Sequence, residues 1–339
     1  MQRKACAWKI VSAFALFAAA CGGSPTGPSG DGAAHILRGQ TVIATDGRSA
    51  SSVSVQIGRE RAVTSDAEGN FQVDVDGAPS YLAVLASSQT VERRTTIRGA
   101  GADRVKLSLI PASFDLAAFD EMFRDGTSGL RRWTAAPRLV IVATVMNYST
   151  SFSSDFPATS EQLTDEEVST MTAHLTEGLA LMTGGTFNSF ASVEIERPSS
   201  GTRVSTRRAG TIVVGRYNGV VSMAQTIGFG QWATEADGTV TAGAIYLDRD
   251  FDRNDGRRRL LRIHELAHAL GAQHVTSRTS IMNPSIGPEP TDFDRAAAVI
   301  AFQRMPGNRA PDTDPESASR PVFGGSSRWY SSVQSKGAP

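Results

Sequence analysis

Three of the five histidines of this 339-residue chain lie within eleven residues, at His264, His268 and His274. A spacing of four places the first two imidazoles on one face of a helix, where both can bind the same metal ion. On a continuous helix His274 would lie about 15 Å along the axis from His264, whereas a zinc–nitrogen bond is only about 2.0–2.1 Å. The spacing therefore predicts a helix that ends at a bend, and Gly271 can take a positive φ there without steric penalty.

Glu265 directly follows the first histidine and is the predicted catalytic residue. Three neutral imidazoles leave one position of a tetrahedral Zn²⁺ open for water, which is typical of a catalytic and not a structural zinc site. Zinc lowers the pKa of such a water toward about 7. Glu265 is placed next to the ligands, as a base that accepts a proton from that water should be.

The segment HELAHALGAQH, from His264 to His274, resembles the HExxHxxGxxH signature of the metzincin zinc metalloproteases. Ser280–Pro284 resembles the Met-turn of that clan, with Met282 eight residues after the third histidine. The resemblance implies an α+β catalytic domain over residues 113–308, closest to a compact bacterial matrixin-like enzyme. A zinc site with a glutamate from a later helix as third ligand is the alternative, but His274 already supplies that ligand.

The resemblance also implies a mixed twisted sheet, an active-site helix, a structural methionine at Met282 and a final helix. Ala242–Leu247 matches the position of the clan's cleft-edge strand, which pairs with an extended substrate. The spacing of apolar residues and the cap residues predict helices from Phe114 to Phe123, from Thr164 to Met182 and from Thr291 to Arg304. Apolar runs of strand length predict strands at Leu139–Val145, Val193–Glu196, Thr211–Tyr217 and Ala242–Leu247.

Two polar features of this domain have simpler interpretations than a metal site. The acidic segment from Asp248 to Asp255 has a glycine one place late for a calcium loop, and Leu261 stands where a bidentate glutamate is needed. We therefore expect a solvated loop before the next helix, with calcium as the alternative. His174 has no second ligand at metal spacing and is expected to be structural or exposed.

The N-terminus has the pattern of a bacterial lipoprotein signal peptide over residues 1–20. Basic residues precede an apolar run that is too short to span a bilayer of about 30 Å and that ends at Cys21. This pattern resembles a lipobox, which implies lipidation of Cys21 and a membrane-anchored protein outside the cytoplasm. A plain secretory signal is the alternative. Residues 21–33 are rich in glycine, serine and proline and are expected to form a flexible linker.

Residues 34–112 are expected to form a small antiparallel β-sandwich. Short runs with period-two alternation are separated by turn residues at Ile36–Ala44, Val53–Ile57, Ala62–Thr64, Phe71–Val75, Leu82–Leu85 and Val105–Ile110. The run from Ala62 to Phe71 resembles a segment of carboxypeptidase-regulatory-like modules. It contains no nucleophile and no predicted metal ligand, so we interpret the region as an accessory domain.

The balance of 34 basic and 34 acidic residues gives no global field that would favour nucleic acid. The expected partner is a protein or peptide substrate, bound by a monomer, and residues 309–339 are predicted to be a disordered tail. The sequence thus predicts a zinc endopeptidase. The competing hypothesis is a surface-binding lipoprotein whose sandwich recognises a glycan or protein and whose zinc domain is not catalytic.

Overall fold

The computed structural model describes residues 35–98, 104–124, 129–149, 154–220, 226–316 and 328–335. Ala34–Pro339 form one compact unit, so the expected boundary near residue 112 does not separate two such units. The mixed α+β class is confirmed, with sheets as the larger part. The predicted signal peptide, Cys21 and the predicted linker lie outside the described residues. No helix within the described residues is long and apolar enough to cross a membrane.

Two small sheets at the start of the chain form what we call the N-terminal sheet pair. Its strands are β1 (His35–Ile43), β2 (Ser54–Ile57), β3 (Val63–Thr64), β4 (Asn70–Val75), β5 (Ser80–Ser87), β6 (Thr90–Arg98) and β7 (Val105–Leu109). One sheet has the order β4-β1-β7 and the other β3-β2-β5-β6. Alternate side chains of both sheets form one hydrophobic cluster. The sequence did not predict β6, and the β1–β7 pairing is parallel where an antiparallel arrangement was expected.

A larger mixed sheet forms the rest of the β-structure. Its strands are β8 (Arg138–Asn147), β9 (Asp155–Gln162), β10 (Val193–Glu196), β11 (Arg203–Ser205), β12 (Thr211–Asn218), β13 (Thr226–Thr234), β14 (Val240–Asp248) and β15 (Arg328–Ser335). The order is β11-β9-β8-β12-β14-β13-β15, and β10 pairs with β8. β8, β10, β12 and β14 are parallel, whereas β13 and β15 run antiparallel to their neighbours.

β14 is an interior strand of this sheet. It pairs with β12 on one side and with β13 on the other. The prediction that Ala242–Leu247 is a cleft-edge strand is therefore wrong, because both rows of its backbone groups are already used. β13 is the next strand outward, and its outer side pairs with β15.

The helices pack on one face of the larger sheet. They are α1 (Leu116–Phe119), which continues into a π-helical turn at Asp120–Arg124, α2 (Asp165–Met182), α3 (Arg249–Asn254), α4 (Arg258–Ala269) and α5 (Asp292–Phe302). The helices predicted to begin at Thr164 and Thr291 are confirmed, and each begins with a capping box, formed by Thr164 with Glu167 and by Thr291 with Asp294. Residues of α2, α4 and α5 join the hydrophobic cluster on this face. The cluster on the opposite face is built from strand and loop residues.

Buried ion pairs join the N-terminal sheet pair to the segment after α5. Arg93 of β6 pairs with Asp314 at 3.1 Å, and Arg304 pairs with Asp312 at 2.7 Å. Both arginines also donate to the carbonyl and hydroxyl oxygens of Ser108 on β7. These five residues form what we call the ionic seam. A buried charge that loses its partner is strongly destabilising. The seam therefore ties the N-terminal sheet pair firmly to the segment after α5.

The predicted disorder from Arg309 onward is wrong for two segments. Within residues 309–316, Asp312 and Asp314 belong to the ionic seam. Backbone hydrogen bonds also join Arg94 to Asp312 and Asp314, at 2.9 and 2.8 Å. Residues 328–335 form β15 against β13. Polar composition indicated disorder, but partners far away in sequence satisfy the charges and backbone groups of these segments.

Candidate metal centre

The first two histidines lie on α4, and the helix ends where the sequence predicts. Leu270 is the C-cap, and Gly271 follows with φ of 108°. An added Cβ at Gly271 would lie 3.2 Å from the carbonyl oxygen of Arg131, so a side chain there would be strained and crowded. The predicted bend is confirmed, and it turns the chain so that His274 faces His264 and His268 again.

The three Nε2 atoms converge on one point. His268 Nε2 lies 2.9 Å from His264 Nε2 and 3.2 Å from His274 Nε2, and the remaining distance is 3.3 Å. The Nδ1 atoms of His264 and His268 lie 2.6 and 2.8 Å from the carbonyl oxygens of Ile281 and Ala272. A carbonyl oxygen can only accept, so Nδ1 carries the proton in both rings. Their Nε2 lone pairs therefore face each other with no hydrogen between them.

This arrangement fits a bound zinc ion. On a tetrahedral zinc with bonds of about 2.0–2.1 Å, two nitrogen ligands lie about 3.3–3.4 Å apart, close to the separations of the three Nε2 atoms. Hydrogen bonds from Nδ1 to carbonyl oxygens are the usual support of metal-bound histidines. Among the described residues, His264, His268 and His274 are the group of potential ligands close enough together to hold one ion. Three imidazoles also suit other transition metals.

Glu265 is fully buried beside this cluster, and neither oxygen of its carboxyl group has a hydrogen-bond partner. Burial raises its pKa well above the ordinary value of 4.5. A buried carboxyl group without a partner is costly for stability. Groups of this kind are common where a proton acceptor is needed, since a raised pKa makes the carboxylate a stronger base.

Burial also keeps the imidazoles neutral. It lowers the pKa of His264 to about 3, with a smaller contribution from His274, and lowers the pKa of His274 to about 4. The pKa of His268 is well below its ordinary value for the same reason, helped by the two neighbouring rings. Neutral imidazole is the form that binds a metal. At neutral pH the three rings are therefore ready to act as ligands.

Two glycines of β13 allow α4 to lie directly against the sheet. An added Cβ at Gly228 would lie 3.0 Å from Oε1 of Glu265, and one at Gly230 would lie 2.6 Å from the backbone oxygen of Glu265 and closer still to Cβ of His268. Trp232, two residues further along the same face, stacks on His268 with ring centroids 6.2 Å apart. β13 therefore forms one wall of the metal centre.

The turn at Ser280–Asn283 supports the first histidine from the opposite side. The Asn283 N–H donates to the Ser280 carbonyl oxygen at 3.1 Å, which closes the turn around the fully buried Met282. The buried carboxylate of Asp294 accepts hydrogen bonds from the Ser280 hydroxyl and from the Ile281 N–H. The carbonyl of Ile281 in turn accepts the His264 Nδ1 proton. Asp294 of α5 thus fixes the turn that orients His264.

The acidic segment before α4 is helical and largely structural. Asp248 caps α3, and Asp252 is fully buried between Arg216 and Arg262, with N–O distances of 2.6 and 2.7 Å. The expected solvated loop is therefore wrong, because two buried arginines bring Asp252 into the protein. Among the described residues, no three His, Cys, Asp or Glu side chains of this segment lie close enough together to hold one metal ion. The ion pairs instead fix α4, which carries Arg262, to α3 and β12.

His174 has the predicted structural role. It lies on α2, and its Nδ1 faces Nη1 of Arg262 at 3.1 Å. The guanidinium can only donate, so Nδ1 is the acceptor. Burial and the neighbouring Arg262 lower the pKa of His174. This histidine therefore supports the buried arginine and is not part of the metal cluster.

The structure brings together every residue that the sequence predicted for the centre, namely His264, Glu265, His268 and His274, with Met282 buried in the turn behind them. Sequence reasoning missed the glycines and the tryptophan of β13. The Gly-Phe-Gly-Gln-Trp pattern from Gly228 to Trp232 was the available signal, because glycines two apart on one strand face indicate close approach of another element. The helix that contains Asp294 was predicted, but the support that Asp294 gives to the Ser280–Asn283 turn was not.

No protein-family model and no curated protein matches this sequence. The functional interpretation therefore depends on the residues and their geometry. The site consists of three converging imidazoles, a buried carboxyl group without a hydrogen-bond partner, and the two walls formed by β13 and the Ser280–Asn283 turn.

Proposed function

We propose that this protein is a zinc-dependent endopeptidase of the metzincin type. One observation carries the proposal: the unprotonated Nε2 atoms of His264 and His268 converge with that of His274, beside a buried Glu265 that has no hydrogen-bond partner. A structural zinc site is usually closed by four protein ligands. Among the described residues, this site has three protein ligands and an adjacent base, Glu265. An open fourth position beside a base favours a hydrolytic zinc site.

In this proposal His264, His268 and His274 hold the zinc ion. When bound, zinc acidifies water and polarises the carbonyl group of the substrate. Glu265 accepts a proton from the attacking water and delivers it to the departing amine. The Nδ1 hydrogen bonds of His264 and His268 keep both rings in the ligating tautomer, and the apolar surroundings of Glu265 make it a stronger base.

The catalytic role of Glu265 is tested by Glu265→Gln. The amide has nearly the same shape as the carboxyl group but cannot act as a base toward water near neutral pH. We expect the variant to retain about one zinc per chain, because it keeps all three ligands, and to lose about 10²–10⁴-fold in peptide cleavage. Zinc is measured by mass spectrometry of the purified protein, and cleavage with a quenched-fluorescence peptide library. Cleavage at the wild-type rate would contradict the assignment.

Metal binding is tested separately by His264→Ala, with His35→Ala as the matched control. His35 is an exposed residue of β1, outside the cluster. We expect zinc content to fall to near zero in the first variant and to be unchanged in the second. Equal zinc content in the two variants would show that the metal binds elsewhere.

We further propose that lipidated Cys21 anchors the enzyme to a membrane outside the cytoplasm, with residues 21–33 as a linker. The N-terminal sheet pair then acts as the accessory domain between anchor and catalytic centre. Cys21→Ser should move the protein from the detergent phase to the aqueous phase in a phase-partitioning assay. Partitioning that is unchanged by this substitution would rule out acylation at Cys21.

A further inference from the structure

The outer edge of β13 is occupied by a distant part of the same chain. β15 pairs antiparallel with β13 along its whole length, from Thr234 opposite Arg328 to Thr226 opposite Ser335. More than 90 residues separate the two strands in sequence, and the metal-binding histidines lie between them. The pairing is therefore a tertiary contact and not a local hairpin.

This pairing brings the backbone of β15 past the metal centre. Gly228 and Gly230 are the β13 residues in closest approach to Glu265 and His268. Their partners across the pairing are Gln334 and Ser332, and β15 also contacts α4. β15 thus lies beside Glu265 and His268 and is paired with β13, the strand that forms one wall of the site.

A stack of rings fixes β15 in this position. Tyr330 stacks on Trp232 with centroids 5.5 Å apart and planes inclined by 13°. Trp232 stacks in turn on His268, with planes inclined by 15°. The Arg131 guanidinium lies 5.7 Å from the Trp232 ring and 5.3 Å from the Tyr330 ring. Ring contacts therefore add to the strand pairing and connect Tyr330 of β15, through Trp232, to the imidazole of His268.

An extended peptide would bind this edge in the same way as β15. Peptides that add a strand to a sheet edge use backbone hydrogen bonds for affinity, with side-chain pockets for specificity. Without β15, β13 would be the edge strand nearest Glu265, since β14 is paired with β12 and β13. We propose that residues 328–335 act as an internal competitor that occupies the peptide-binding edge of β13. This inference rests on the proposed peptidase function, because the competing ligand is the substrate.

Full burial of the catalytic groups agrees with this arrangement. Glu265 and His268 have no exposed surface, and His264 is 1% exposed. A peptide bond must reach these groups to be hydrolysed, and in this proposal the release of β15 from β13 opens that access. The chain has only Cys6 and Cys21, both outside the described residues, and the proposed competitor acts through strand pairing with no cysteine at the metal.

Occupancy of the edge is tested by peptide binding, which does not require catalysis. A chain that ends at Glu316 and carries Glu265→Gln is compared with the full chain carrying the same substitution. The probe is a fluorescent peptide with the sequence of residues 328–335, and the controls are a scrambled peptide and one with alanine in place of Tyr330. We expect at least tenfold tighter binding to the shortened chain, and weaker binding of both control peptides. Equal binding to the two chains would overturn the proposal.

Competition with substrate is tested with the unsubstituted chains. The chain that ends at Glu316 should cleave peptides with at least tenfold higher kcat/KM than the full chain, and the peptide of residues 328–335 should inhibit it competitively. Equal kcat/KM would overturn the proposal. If neither chain cleaves any peptide but their binding differs as expected, the peptidase function fails while occupancy of the edge stands.

A substitution in the full chain covers the case in which the shortened chain does not fold. Tyr330→Ala removes the ring that stacks on Trp232, whereas Tyr330→Phe keeps it. We expect higher kcat/KM and tighter probe binding for the alanine variant, with the phenylalanine variant close to wild type. Hydrogen exchange of the β13 amides should be faster only in the alanine variant. If the alanine and phenylalanine variants behave alike in all three measurements, β15 is not held as proposed.

Discussion

Replacing Gly230 by alanine tests whether close packing of α4 on β13 sets the geometry of the metal centre. The added methyl group would lie 2.6 Å from the backbone oxygen of Glu265, about 0.8 Å short of the 3.4 Å at which ordinary contact begins. Backbone cannot rotate away as a side chain can, so α4 has to move by a comparable distance. Metal sites tolerate changes of only about 0.2 Å in ligand distance.

The expected result is a combined loss of stability and metal affinity. Overpacking of this kind costs about 1–3 kcal/mol, measured as the free energy of urea-induced unfolding of the metal-free protein. Displacement of His268 should weaken zinc binding by at least about tenfold, measured by titration against a chromogenic chelator. The matched control is Gly256→Ala, because an added Cβ at Gly256 would have no neighbour within 4 Å. Wild-type zinc affinity and stability in Gly230→Ala would refute the packing argument.

Three further predictions concern buried aspartates, at Asp252, Asp294 and Asp314. Asp252→Asn should lower the free energy of unfolding by about 3–5 kcal/mol, because Arg262 loses its counter-ion and Arg216 keeps only Glu167. The control Asp250→Asn should lower it by under about 1 kcal/mol, and equal urea midpoints would contradict this. Asp294→Ala should weaken zinc binding about 10–100-fold in a chelator titration, since it removes both oxygens that accept hydrogen bonds from Ser280 and Ile281, and unchanged affinity would exclude that support role. Burial alone would raise the pKa of Asp314, but Arg93 and hydrogen bonds hold it below 3.8, so stability present above that pH is lost on acidification. Unfolding of the wild type should therefore depend more steeply on pH below about 4 than that of Asp314→Asn, and parallel profiles would contradict it.

The arrangement of the candidate metal centre was predictable because its main determinants lie close together in sequence. The positions of His264, His268 and His274 and the bend at Gly271 depend on the geometry of one helix and one turn. The capping boxes of α2 and α5 are local for the same reason. In these elements the residues that decide the structure are within a few positions of each other.

The missed strands depend on partners far away in sequence. Arg93 and Thr95 are on the buried face of β6, and Arg93 is buried because Asp314 lies opposite. Hydrophobic periodicity gives no signal for such a strand. β15 is polar as well, and only its register with β13 reveals it. The misplacement of the edge strand at Ala242–Leu247 has the same origin, since strand order in a sheet is not a local property.

The ionic seam limits how this protein can be divided or recombined. A shortened chain that begins at residue 113 would lose Arg93 and Ser108, and Asp314 and Arg304 would then lose a counter-ion and two acceptor oxygens. The N-terminal sheet pair therefore cannot be exchanged alone. Transferred to another protein without residues 304–314, it would expose Arg93, which is buried here. Heating should accordingly unfold the N-terminal sheet pair and the larger sheet in one transition. Any transfer of the sheet pair to another protein would have to include both sides of the seam.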